Sequence, residues 1–247
     1  MTIPTRWPWL LALGALVYLV VLVVTLPARF VLQWLPDGVS AVGVEGTAWR
    51  GRTATIAIEH TRIDDLRWRM RPAALLRARA AASVEALVAG GFVEGDVAIT
   101  ATGTVHARDL RAAFPLAELA TVAGFEGIAG QLSIDLQSLR LDDGWPSAVD
   151  GTARIGNLRI ADLDDEPVGD YELQFDTRGD DIVGRLRDRG GPLEVSGALT
   201  LGADRAWELD GTVRTRADAR PRLDEVLSML GSPDAEGRRE FSLAGRL

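Results

Sequence analysis

The chain contains no cysteine and no lysine, and its 247 residues include only two histidines, His60 and His106. Without cysteine the protein has no disulfide framework, no thiolate metal ligand and no thiol nucleophile. Without lysine it has neither a Schiff-base nucleophile nor the lysine of a phosphate-binding loop. Because so many catalytic side chains are missing, we expect no enzyme activity, no cofactor, and no catalytic or metal-binding residues.

Acidic residues are in excess, with 35 Asp plus Glu against 27 arginines and a net charge of -8. This excess disfavours nucleic acid as a partner. The acidic pairs are adjacent in sequence, and adjacent side chains of an extended chain point to opposite faces, so the pairs are typical of solvated turns rather than calcium sites. An enzyme whose site is built from carboxylates of distant strands, or from the two histidines, is kept as a further hypothesis for function. The pairs are Asp64-Asp65, Asp142-Asp143, Asp164-Asp165 and Asp180-Asp181.

A long apolar run lies near the N-terminus, where no charged residue occurs between Arg6 and Arg29. A helix of about 20 apolar residues crosses the hydrocarbon core of a bilayer, whereas the core of a secretory signal has about 7 to 15 residues. The sequence therefore predicts a transmembrane helix at 9–28, after a cytoplasmic N-terminus at 1–8. A juxtamembrane linker at 29–40 and a periplasmic β domain at 41–247 are expected to follow. A cleavable signal ending near Pro27 is the alternative. The predicted anchor residues are Trp9, Leu10, Leu16, Tyr18, Leu22 and Leu26.

Apolar and polar residues alternate with a two-residue period through much of the remaining chain, which predicts strands with one dry and one wet face. Leu132, Ile134 and Leu136 form one such series. Short turn-forming links between these segments require antiparallel neighbours. Strands are expected near 53–60, 92–101, 180–188, 191–201, 205–215 and 239–247, with turns at 90–91, 142–144, 164–167, 179–181 and 190–192.

Glycines recur at apolar-facing positions of these strands, and a missing side chain on the dry face allows a sheet to bend. The sequence therefore predicts a mainly β fold, in which the transmembrane helix precedes one strongly curved antiparallel β-sheet, groove or taco-like, with short helices at 72–77, 115–122 and 223–230. The alternative is that the glycines are merely tolerated near turns. The residues predicted to line the apolar inner face or to give curvature are Gly46, Gly103, Gly130, Leu132, Ile134, Gly151, Leu193, Val195, Gly197, Leu199, Trp207, Gly211 and Gly245.

Several loose motifs occur in an order that resembles the type II secretion system protein N family of Gram-negative bacteria. They are the segments 43–51, 66–76, 190–197 and 227–238, which follow the single apolar run ending in Leu26-Pro27-Ala28. The second segment also resembles envelope proteins of the AsmA kind, although it has Ala73-Ala74 where a bulkier residue is expected. The resemblance covers nearly the whole chain.

The resemblance implies a non-enzymatic, single-pass protein of the inner membrane with its C-terminal domain in the periplasm. Such a protein assists the export of folded proteins across the outer membrane by docking or scaffolding other components of the secretion system. Its expected partners are these components and the inner membrane. The alternative function is an AsmA-like periplasmic groove that binds or transfers lipid, which the alternation and the glycines fit comparably well.

Overall fold

The structure, a computed structural model, describes Tyr18 and residues 21–22, 24–32, 39–58, 61–122, 127–161, 164–179, 181–217 and 219–246. Most of the predicted transmembrane helix, including Trp9, Leu10 and Leu16, lies outside these residues. Tyr18 and Leu22 have helical backbone and exposed side chains. Among the helices of the described residues, none has the length and the apolar character needed to span a membrane.

Fourteen strands form one antiparallel sheet. Strands β3 to β14 follow one another in the sheet in the order of the sequence, while β1 and β2 both pair with β3. This meander follows from the short links, which leave each strand beside the next. The strands are β1 Val39–Val42, β2 Glu45–Gly46, β3 Arg50–Ile58, β4 Thr61–Met70, β5 Arg79–Val88, β6 Gly91–Thr100, β7 Val105–Pro115, β8 Ile128–Asp142, β9 Trp145–Ile160, β10 Asp164–Arg178, β11 Asp181–Gly190, β12 Leu193–Leu201, β13 Ala206–Thr215 and β14 Arg239–Arg246.

The main β character and the antiparallel pairing predicted from the sequence are confirmed. The predicted turn at 164–167 is wrong, because β10 already begins at Asp164. The first part of β10 pairs irregularly with β9, with register shifts on both sides of Gly169. Strands tolerate such irregularities as bulges, so turn-forming residues do not always end a strand.

Short helices occur close to the predicted positions. The helices are α1 Ala28–Leu32, α2 Leu116–Val122 and α3 Pro221–Leu227, and 3-10 turns cover Pro72–Arg77 and Ser228–Leu230. Proline at the start of α3 suits a helix whose first N–H groups have no intrahelical partner. Leu223 and Leu227, one turn apart on α3, are buried against the sheet.

The sheet is not strongly curled, which corrects the groove-like shape expected from the glycines. Contacts between strands run mainly between sheet neighbours. The glycines instead make room for side chains of the adjacent strand. A Cβ atom on Gly211 would lie 2.6 Å from the ring of Phe241, and one on Gly245 would lie 2.8 Å from the ring of Trp207. Aromatic rings that cover cross-strand glycines are a known way of stabilising such positions.

Gly211→Ala is expected to destabilise the sheet by about 1–3 kcal/mol, the usual cost of overpacking. Its new methyl group would meet the carbonyl of Ser196 at 2.5 Å as well as the ring of Phe241. The matched control is Gly156→Ala on β9, where the nearest atom would lie 3.9 Å away. Denaturant unfolding measures both free energies. Equal unfolding midpoints for the two variants would contradict this account of the glycines.

Candidate docking surface

One side of the sheet carries mostly apolar side chains, and we call it the apolar face. Leu132, Ile134 and Leu136 share this face because alternate residues of a strand point the same way. Directly paired residues of neighbouring strands also share a face. The strand register therefore continues the apolar face from β8 through Ile155, Ala153 and Gly151 on β9, Tyr171, Leu173 and Phe175 on β10, and Gly184 and Leu186 on β11.

The apolar face extends in both directions from this centre. Leu199 on β12 pairs with Leu209 on β13, which in turn pairs with Leu243 on β14. Towards the N-terminus, Trp68 on β4 pairs with Val84 on β5. The connecting strands β6 and β7 contribute Val93, Val97, Ile99, Val105, Ala107 and Ala112 in matching register. The apolar face thus crosses the sheet from β4 to β14.

The opposite side of the sheet carries ion pairs between adjacent strands. Arg154 on β9 lies 2.7 Å from Glu172 on β10, and the hydrogen bond from this guanidinium lowers the pKa of Glu172. Arg214 and Glu194 form a similar pair at 2.7 Å between β13 and β12. Exposed pairs of this kind contribute about 0–1 kcal/mol each. We therefore attribute most of the stability to the apolar face, and the charges favour one register over its neighbours.

Helix α3 covers one part of the apolar face. Its residues Leu223 and Leu227 pack with Val168, Leu193 and Val213 in a buried cluster. Burying a leucine side chain fully contributes about 1.5–3 kcal/mol, so α3 is firmly docked over β10, β12 and β13.

A second buried cluster lies towards the middle of the sheet, where Leu136, Val149 and Ile182 meet. Val149 and Ile182 are not singled out by the sequence analysis. The signal that identifies them is their spacing of two residues from Gly151 and Gly184, which places them on the same face. Leu110 and Phe175 are among the half-buried residues around this cluster.

Most of the apolar face is half-buried and has no second layer of this chain over it within the described residues. Among these residues, the large side chains with less than 2% exposure are Ile182, Leu223, Val168 and Thr53. Ile99 is 47% exposed and Leu243 is 55% exposed. Because the apolar side of a sheet is normally packed against another layer, this face is suited to holding another molecule.

Ten of the thirteen residues predicted for the inner face lie on the apolar face. The exceptions are three glycines. Gly46 is in the short edge strand β2, Gly103 is in the turn between β6 and β7, and Gly130 is at a register shift of β8. The ten are Leu132, Ile134, Gly151, Leu193, Val195, Gly197, Leu199, Trp207, Gly211 and Gly245.

The ionisable residues weighed as catalytic or metal-binding candidates are spread along the sheet. No group of three or more His, Asp or Glu side chains able to hold a metal ion occurs among the described residues. Asp142 is bound locally by Ser147 at 2.6 Å and by Arg140 at 3.0 Å, and the hydrogen bond from Ser147 lowers its pKa. His106 lies on β7, paired with Ala98 and Arg140. His60 falls outside the described residues.

One polar group on the apolar face has a strongly shifted pKa. The hydroxyl of Tyr171 donates to the carbonyl of Val168 at 2.9 Å. Burial, with a smaller contribution from the nearby Asp188 carboxylate, raises the pKa of Tyr171 to about 12. Arg216 reaches the same Asp188 at 2.5 Å and the carbonyl of Gly191 at 2.6 Å, so it ties the end of β13 to β11 and β12.

Stability is expected to fall between about pH 10 and pH 12 because of Tyr171. Its pKa is about 12 in the folded protein against 10.0 for the free group, so the folded state retains a proton that the unfolded state has lost. The contribution is complete below pH 10 and disappears as the pH approaches 12. Tyr171→Phe should remove this fall, at a constant cost of about 1 kcal/mol for the lost hydrogen bond. The pH dependence of denaturant unfolding measures it. Tyr18→Phe, which changes the other tyrosine, should keep the fall.

Comparison with known proteins relates this sheet to one family. A family model described as type II secretion system (T2SS), protein N matches residues 37–242. A type II secretion system protein N from Aeromonas hydrophila is 27% identical over 260 residues, which cover 96% of this chain and 97% of that protein. A protein of the same name from Vibrio cholerae serotype O1 is 26% identical over 239 residues, which cover 91% and 92%. No solved structure matches the chain significantly.

Proposed function

Because the chain belongs to the type II secretion system protein N family, we propose that it is a non-enzymatic, single-pass component of this system that docks other components at the inner membrane. The family supports a role as a component of the secretion system. The observation that carries the docking proposal is the apolar face, which crosses the sheet from β4 to β14 without a second layer of described residues over most of it.

The membrane anchor in this proposal is the apolar run at 9–28. Its described residues Tyr18 and Val24 are helical, and their side chains are 70% and 60% exposed. Apolar side chains exposed on a helix are suited to a lipid environment. On this proposal residues 1–8 are cytoplasmic, 29–40 form a juxtamembrane segment that includes all of α1 except Ala28, and 41–247 lie in the periplasm.

The docking partner in this proposal is an apolar segment of another component of the secretion system. Such a segment gains free energy by covering the half-buried side chains, because removing apolar surface from water is favourable. The outer edge of β14 offers a second means of attachment, since a terminal strand has unpaired backbone groups that can pair with another strand.

Photo-crosslinking tests which side of the sheet meets the partner. A photoreactive phenylalanine derivative at Leu243 lies on the apolar face, and the matched control at Ser242 lies on the opposite side of the same strand. In cells with an intact secretion system, Leu243 is expected to give adducts with other system components and Ser242 is expected to give few. Adducts of equal yield from the two positions, or none above a sample without light, would contradict docking through this face.

Lipid binding on the open apolar face is the second candidate function, and the length of this face favours it. A continuous apolar surface shields acyl chains as readily as it holds a protein segment. Native mass spectrometry of the full chain in mild detergent separates the two functions. Phospholipid that stays bound after the detergent is removed supports lipid binding by the apolar face. A chain without lipid supports docking of another component.

Alanine substitutions at Asp64, Asp142, Asp164 or His106 are expected to leave secretion unchanged, because no three such groups converge in the described structure. The measurement is the amount of exported protein in the medium, normalised to the amount of each variant in the membrane. A variant that is present at the normal level but loses secretion by tenfold or more would show that one of these residues takes part in chemistry.

A further inference from the structure

We propose that a second part of this protein contacts the membrane directly: the 3-10 turn Pro72–Arg77 inserts its leucines into the bilayer surface, and the arginines around it bind anionic phospholipid headgroups. The inference rests on the proposed membrane anchor, which fixes the membrane next to this part of the sheet. It adds a lipid-binding surface to the docking function. We call the end of the sheet where β3 starts and β4 ends the proximal end.

The proximal end is where the N-terminal helical segment joins the sheet. The N–H of Ala48, just before β3, donates to the carbonyl of Leu26 at 2.8 Å. The N–H of Met70, the last residue of β4, donates to the carbonyl of Trp49 at 2.7 Å. The turn Pro72–Arg77 follows directly. The turn therefore lies beside the start of β3, and the end of the apolar run proposed to cross the bilayer is hydrogen-bonded to the same part of the chain.

The turn exposes two neighbouring leucines. Leu76 is 90% exposed and Leu75 is 47% exposed, and the turn contains no buried residue. Apolar side chains flanked by arginines are typical of segments that lie in the interface between headgroups and acyl chains, where the apolar groups enter the bilayer and the charges stay at its surface. Arg71 and Arg77 flank these leucines in the sequence.

The part of the proximal end formed by β3, β4, the 3-10 turn and the start of β5 is rich in arginine, although the chain as a whole is acidic. Residues 66–84 contain five arginines and no acidic residue, and residues 46–58 contain two arginines and no acidic residue, against a net charge of -8 for the chain. Arg71 pairs with Asp96 at 2.5 Å. Within the described part of the chain, Arg69, Arg77 and Arg79 have no ion pair.

Two pairs of arginines face each other directly across β3 and β4. Arg50 is the register partner of Arg69, and Arg52 is the register partner of Arg67. Like charges placed opposite each other are unfavourable, so this arrangement favours a bound anion between them. Arg52 and Arg67 each have a carboxylate at 2.8 Å, whereas Arg50 has none among the described residues. A groove of about 420 Å³ beside these side chains leaves room for a headgroup. Glu45 and Glu85 also line it, but its four arginines outnumber them, and guanidinium groups bind phosphate oxygens in pairs.

The far end of the strands carries a similar turn without an excess of arginine: residues 220–239 contain four arginines and four acidic residues. The 3-10 turn Ser228–Leu230 exposes Met229, which is 84% accessible. The carboxylates nearest to it in the sequence are Asp224, Glu225, Asp234 and Glu236. Three of them form ion pairs with Arg238 and Arg239, so this turn offers no excess positive charge to an anionic bilayer. Met229 is therefore a matched control for Leu76, since both are exposed apolar residues in 3-10 turns.

The absence of cysteine from the chain makes single-site labelling direct. Leu76→Cys and Met229→Cys are each labelled with an environment-sensitive fluorophore in the full chain, reconstituted in vesicles of phosphatidylethanolamine with 30% phosphatidylglycerol. Spin-labelled lipids in the same vesicles are expected to quench the label at 76 at least threefold more than the label at 229. Equal quenching at the two positions in chains that float with the vesicles would overturn the proposal.

The contribution of the arginine charges is tested with paired substitutions. Arg77→Gln with Arg79→Gln, or vesicles of phosphatidylcholine alone, should reduce the quenching at 76 by at least half. The control, Arg187→Gln with Arg189→Gln on β11, removes the same charge at the far end and should leave it unchanged. Quenching at 76 that does not depend on these arginines or on anionic lipid would contradict the proposal that the arginines bind anionic headgroups. It would indicate that something other than an anionic headgroup lies beside them.

Flotation in alkaline carbonate separates this inference from the anchor on which it rests. A chain that stays with the vesicles in carbonate is anchored, whatever the label at 76 reports. A chain that is released by carbonate but still shows quenching at 76 at neutral pH contradicts the anchor and retains the lipid-binding turn. A chain with neither property contradicts both.

Discussion

The pairing of each strand with the next one along the chain is the constraint on which the rest of this structure depends. Once β3 to β14 are paired in sequence order, the two-residue period of the side chains assigns every residue to one of two faces. The apolar residues then collect on one face and most of the ion pairs on the other. Besides the sheet, the described part of the chain has only short helices, which do not form a second layer over the whole apolar face. Much of that face is therefore half-buried or exposed in the described structure.

Much of the sheet could be predicted from the sequence because its signals are local. The alternation at Leu132, Ile134 and Leu136 and the turn residues around Gly144 indicate strands and tight antiparallel links without reference to distant parts of the chain. The pattern did not distinguish β5 clearly, since Arg79–Val88 is rich in alanine and gives little contrast between its two sides. The residues near 164–167 resemble a turn, yet they begin β10.

The shape of the sheet and the reason for its glycines depend on contacts between strands, and the sequence does not contain this information. Gly211 and Phe241 are thirty residues apart, and only the register of β13 with β14 brings the ring over the glycine. A glycine that bends a sheet and one that accepts a neighbouring ring have the same sequence pattern. The apolar face itself was predictable, whereas its accessibility depends on how little of it α3 covers.

The order of the strands also bears on how the protein assembles in the cell. Every strand from β4 onward finds its first partner immediately before it in the chain, so no early segment has to wait for a distant one. Pairings between close segments need little loop closure and form quickly. A polypeptide that is made gradually, N-terminus first, can therefore add one hairpin after another to a growing ribbon, with β14 as the last of the described strands to arrive.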